Sequence, residues 1–311
     1  MQVEHGFSLA RAAADYFQHA AGFLSVGAVG FRLAAVRRRD DDTSLSDGEI
    51  LAYRDALANA ARLGLLGALV SAYRYLSRLP ETAERRQLSV LELVTGDLPT
   101  ALRILLIVVG IFGLAIAATR RPGGWRIAAP GILLAPLTGL LAGGDPLRLA
   151  NPVHTLVGGL WLGTLIMIVL CGIPAALRSA PGERRGMLVA EMINGFSPLA
   201  LFSAAMLVVS GVVTAWRHIG SYDALWTTRY GQSLLVKLCV VAVVFAFGAF
   251  NWRRQRPGLG TEETAHRIRR SSAFELTAAA VVLLVTVYLL QQPAPAEARR
   301  PAAPSPARGT P

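Results

Sequence analysis

Lysine is nearly missing from this chain: Lys237 stands alone among 31 basic residues, and the rest are arginine. Charge of any kind is scarce, at 16% of 311 residues, against 53% hydrophobic residues and a positive mean hydropathy. That balance excludes a soluble domain with a large core and marks a polytopic membrane protein in contact with lipid. Two cysteines are too few for a disulfide framework. Cys171 lies late in one apolar run and Cys239 early in another that starts on the same side, so the two are expected to stand beyond the ~7 Å reach of a bridge. The N-terminus lacks the basic stretch, short apolar core and cleavage site of a signal peptide, so the first helix is expected to stay in the mature protein. There is no HExxH, GxSxG, P-loop or CxxC, and no nucleophile–base pair can be argued, so the chain is not expected to be an enzyme. A net charge of +11 could suggest nucleic acid, but no binding motif for it is present. The arginines sit instead in loops between apolar runs, where they orient a membrane protein.

What is there is a succession of apolar runs. The spacing predicts an all-α protein of about eight transmembrane helices: Leu9–Leu33, Ala56–Ser77, Leu98–Ala118, Ile127–Gly143, Pro152–Pro174, Phe196–Trp216, Gln232–Asn251 and Ser272–Leu290. The fourth is short and interrupted by Pro130 and Pro136. The tail 293–311, rich in Pro, Ala and Arg, is expected to be disordered. With both termini outside, the inward loops hold 17 arginines and the outward loops between spans hold 6, the asymmetry of a chain with both ends on the outer face.

Two halves echo each other. Ser71-Ala72-Tyr73-Arg74-Tyr75-Leu76 closes the second span as Thr214-Ala215-Trp216-Arg217-His218-Ile219 closes the sixth, and His19 sits near the start of the first span as His154 does in the fifth. Four spans per copy is an even number, so the reading is two parallel four-helix repeats, residues 1–150 and 151–292, related by an axis along the membrane normal.

The stretch Asn151–Leu170 reads as the organising element, with a proline at its start, His154 near its entrance, Trp161, and Gly163, which lets another helix come close. In this topology the polar residues gather toward the outer face. Asp15 and His19 lie four apart on one helix face, His154 opens span five, and Arg103 and Lys237 lie early in spans three and seven. An ionisable group inside a span is by default a functional-site hypothesis. Each also has a plain structural role. Tyr73, Trp216, Tyr222, Trp226 and Tyr230 suit an interfacial aromatic belt, Arg74 and Arg217 suit snorkelling anchors, and Met167 and Met206 suit packing. Imidazole suits copper and haem iron, while sulfur suits Cu(I), which makes His19, His154 and Met206 candidate metal ligands. Asp15 or Asn151, one turn before each histidine, could orient its ring.

His154-x6-Trp161-x-Gly163, Ser210-Gly-Val-Val-Thr214-Ala-Trp216, Thr228-Arg-Tyr230-Gly231 with Lys237, Asn251, and Phe274-Glu275-Leu276 with Gln291-Gln292-Pro293 together resemble the copper-resistance protein D (CopD) family. The match is fullest over about 185–292. The resemblance implies a bacterial inner-membrane protein of copper transport, uptake or resistance, working beside a periplasmic copper-binding (CopC-like) partner. On a transport reading, His19 and His154 stand near an outer-leaflet entry site and Met206 deeper along the route, with Trp161, Thr214, Trp216, Tyr230, Arg103 and Lys237 beside it. The alternatives are a b-type cytochrome with the two histidines as haem ligands, or a structural partner in oxidase assembly.

Overall fold

A computed structural model describes residues 9–36, 45–143, 150–219 and 221–255, and every regular element among them is helical. Helix α1 (Leu9–Gly30) continues through a π-turn, Phe31–Ala35. Helix α2 (Asp47–Leu76) is followed by two short helices, α3 (Leu79–Arg85) and α4 (Val90–Gly96). Next come α5 (Leu98–Ala118) and α6 (Gly123–Leu134), the latter extended by a 3-10 stretch, Ala135–Ala142. Helix α7 covers Ala150–Ser179 and is interrupted by π-turns at Gly159–Gly163 and Ile168–Gly172. The series closes with α8 (Gly182–Ile219), α9 (Ala224–Thr227) and α10 (Arg229–Gln255).

Helices thus stand at seven of the eight expected spans, and five of them, built on α2, α5, α6, α7 and α8, are long and apolar enough to cross a membrane. The eighth span, Ser272–Leu290, and the tail lie outside the described residues. Two helix starts differ most from the sequence reading. Helix α2 starts at Asp47 rather than Ala56, because Ser46 and Glu49 form a reciprocal capping box that holds its polar first turns. Helix α8 starts at Gly182 rather than Phe196, since Arg184 on its first turn pairs with Glu49 at 2.6 Å and so anchors a helix end that protrudes past the apolar stretch. The expected weakness of the fourth span takes a definite form: Pro130 lies inside α6, and Pro136 opens the tighter 3-10 turn.

Helix α7 is the enclosed one, with 61% of its apolar window inside the protein against 17% for α8. It packs beside α1, and the two meet at Gly27 and Gly163, where a Cβ on either would collide with the other's backbone. Small residues of this kind let membrane helices approach closely, as expected for Gly163. The neighbours climb together along both helices: Phe23 against Gly159, Gly27 against Gly163, Phe31 against Gly172. The first and fifth spans therefore run parallel. On its other side α1 meets α2, where Gly64 faces Ala28 and Gly67 faces the Ala21 carbonyl. Helices α5 and α6 form a tight antiparallel hairpin through Gly110 against Gly131 and Gly113 against Ala128.

The connection between α2 and α5 is held by its own caps. Asp97 begins α5, accepting from the Thr100 amide at 3.0 Å and its hydroxyl at 2.6 Å, and pairs with Arg86 at 2.8 Å. The Thr100 hydrogen bonds, reinforced by Arg86, hold the Asp97 carboxyl below the usual aspartate range. A depressed folded-state value means that this cap contributes fully above pH ~4 and is lost as pH falls through the folded value. Asp97→Ala is expected to cost about 1 kcal/mol at neutral pH. It should speed amide exchange at Thr100–Arg103, with the difference from the parent vanishing under acid.

Candidate functional site

The histidine end of the bundle is assembled from the starts of α1, α5, α7 and α10 and the ends of α2 and α8. Asp15 on α1 takes Arg78 at 3.2 Å and Arg74 at 3.5 Å, tying α1 to the close of α2. Its carboxylate is therefore directed at two guanidiniums. Its backbone carbonyl, at 2.7 Å, accepts from Nδ1 of His19 one turn on. A carbonyl can only accept, so the proton sits on Nδ1 and the lone pair on Nε2.

His154 reaches the same state by a different route. Its Nδ1 lies 3.0 Å from the Ser210 hydroxyl on α8. Ser210 spends its own proton on the Met206 carbonyl at 2.5 Å. The hydroxyl must then accept from the ring, which again places the proton on Nδ1 and leaves Nε2 as the donor atom for a cation. The Leu207 carbonyl, an acceptor as well, approaches the ring from the same helix. Gly211 makes room, with His154 Cε1 3.2 Å from where its Cβ would lie.

The α1–α7 register sets the two histidines at one height. Phe23 faces Gly159 and Gly27 faces Gly163, and the same offset puts His19 level with Thr155, next to His154. Each ring is hydrogen-bonded within its own half of the chain. Among the described residues no three His, Cys, Asp or Glu side chains gather to hold a metal ion.

The remaining expected residues surround this pair. Lys237 on α10 is partly buried and close enough for its ammonium to act on the His154 ring. Arg103 on α5 lies over the Tyr75 ring at 4.5 Å, a cation–π contact that holds its charge. Asn151 is exposed on the first turn of α7, Trp161 is half-buried in the first π-turn, and Thr214 and Met206 are half-buried on α8. Trp216 is exposed and meets Tyr222 edge-on at 5.3 Å, as a belt residue would. Tyr230 departs from the belt: it is buried with Ile219, Ala224 and Leu234, fastening α10 to the end of α8. Both cysteines are free, Cys171 buried and Cys239 exposed.

At the opposite end stands a cluster that the sequence reading did not assemble. Glu49 on α2 pairs with Arg184, which also reaches Glu191 at 3.6 Å, and the Tyr53 hydroxyl donates to Glu191 at 2.7 Å. Ser46-x-x-Glu49 was the available signal, since a capping box places Glu49 on a helix rather than in a loop.

Residues 190–289 match the Copper resistance protein D (CopD) family. A protein of Bacillus subtilis (strain 168), named Copper transport protein CutJ, is 27% identical over 145 residues, 47% of this chain and 25% of that protein. The matched stretch is thus about a quarter of the relative's length. No solved structure matches. The resemblance carried by the motifs is thus matched over residues 190–289, in a chain with five helices among the described residues long and apolar enough to cross a membrane.

Proposed function

We propose that this chain moves copper across the bacterial inner membrane, as a carrier and not an enzyme. The observation that supports this best is the pair of Nδ1-protonated imidazoles at one end of the α1–α7–α8 core, in a chain whose matches are both copper proteins. Neutral imidazole with a lone pair on Nε2 is a copper ligand. A pair without a third strong ligand suits cargo that must leave again better than a resident ion, because conduction needs weak, multiple sites. Met206, whose carbonyl fixes Ser210, is next along α8. The Lys237 charge near His154 weakens the hold on any cation placed there, which favours release over retention. A haem held between the same rings has no such support.

The arginine asymmetry favours an orientation with both termini and the histidine end on the periplasmic side. There a CopC-like protein could deliver copper. A reporter fused after Pro311 should read as periplasmic, and a cytoplasmic reading would reverse the route.

The deciding experiment is copper accumulation in cells expressing the protein, at matched membrane levels. His19→Ala and His154→Ala are each expected to reduce the expression-dependent change by about tenfold or more, the scale seen when groups around a metal are removed. Ser210→Ala, which takes away only the acceptor that sets the His154 tautomer, should act in the same direction and less strongly. Unchanged copper movement in the double histidine variant would overturn the proposal.

A further inference from the structure

The seam between α7 and α8 changes its chemistry along its length. The two helices run antiparallel: His154 meets Ser210, Gly158 meets Leu207, and Gly172 meets Met192. The histidine end is lined by nitrogen and oxygen, with His154, Ser210 and, further on, Ser203, whose buried hydroxyl has no hydrogen-bond partner among the described residues. The far end is lined by sulfur. Met167 and Cys171 lie four apart on α7, and Met192 comes from α8. They are 0%, 1% and 0% exposed and share one cluster. The Met192 sulfur lies next to the backbone beside Cys171, 2.7 Å from where a Gly172 Cβ would sit. The chain has two cysteines and five methionines in all, and three of these seven lie buried on the facing stretches of α7 and α8.

We infer that Met167, Cys171 and Met192 form a second cation site, all sulfur, that takes a soft monovalent ion, Cu(I), after it has left the histidines. The inference rests on the copper-carrier reading and adds a station to it. Thioether and thiolate sulfur select Cu(I) over harder cations, and a dry, closed setting favours a low-charge ion. Copper arrives already reduced. As the Cys171 S–Cu bond forms, the S–H bond breaks and the proton is released, while both methionine sulfurs bind unchanged. The alternative use of these side chains is packing, since Met192 also lies near the Phe31 ring, which is itself 3.2 Å from the Gly172 Cβ position.

The test is titration of the purified full-length protein in detergent with Cu(I) under a competing chelator, together with copper X-ray absorption. The parent is expected to show sulfur neighbours around copper. Met167→Leu/Met192→Leu, which conserves volume and so keeps the fold, should lose them and bind Cu(I) at least tenfold more weakly. His19→Ala/His154→Ala should retain them. Nitrogen-only coordination in the parent, or parental affinity in the leucine variant, would overturn the sulfur site while leaving the carrier reading intact. Sulfur-bound copper in a protein that moves none in cells would do the reverse.

Discussion

Gly163→Leu is expected to yield no stably folded protein. The Gly163 Cβ position coincides with the Phe23 carbonyl of α1, and the Gly27 backbone lies just behind it. Both obstacles are backbone, so no rotamer change can make room. Ordinary overpacking costs about 1–3 kcal/mol because side chains give way; here α1 and α7 must separate, and with them the level pairing of His19 and His154. Gly22→Ala is the matched control. A Cβ there meets nothing within 4 Å, and alanine gains about 1 kcal/mol of helix propensity over glycine. Size-exclusion profiles and thermal melts in detergent should therefore show aggregation or loss for the first variant and parental or better behaviour for the second. A monodisperse Gly163→Leu protein with a normal melt would show that the crossing is looser than described.

Arg184→Ala should bring the next largest loss. Arg184 faces Glu49, whose side chain is only 5% exposed, and its removal leaves that carboxylate buried without a counter-charge. Breaking one partner of a buried pair costs about 3–5 kcal/mol. The 34% exposure of Arg184 puts the expectation at the lower bound. Adding Glu49→Gln removes the stranded charge, so the double variant should recover much of the melting temperature and still lack the restraint on the first turns of α8. Proteolysis near residues 182–190 would report that fraying. Equal stability of the single and double variants would mean that Glu49 does not need Arg184.

Apolar runs made the helices legible, because hydropathy reports length and lipid contact directly. Gly163 was legible too, since a glycine in the middle of an apolar span has few other uses. The ends of α2 and α8 were not, because their first turns are polar and owe their helicity to a cap and to an ion pair across 135 positions. The same limit applies to the site. The gathering of polar side chains at one end follows from orientation alone. Which groups touch does not: Asp15 is joined to Arg74 and Arg78, far along the chain, and His154 is held by Ser210, an uncharged residue that a search for ionisable groups passes over. Tyr230 shows the converse, an aromatic at an expected interface that is enclosed by the turn it helps to close.

The π-turns of α7 carry a consequence for phase. Each wide turn accommodates about one residue more than an α-turn, and one residue corresponds to about 100° of rotation. Gly159–Gly163 and Ile168–Gly172 together set the lower part of α7 back by more than half a revolution relative to a uniform helix. Without that shift Gly159 and Gly172, thirteen residues apart, would stand about 220° apart around the axis; with it they come to within about 20°, and both face α1, against Phe23 and Phe31. Two widened turns, invisible to any hydropathy profile, therefore hold the glycine face of α7 against α1 from one end to the other.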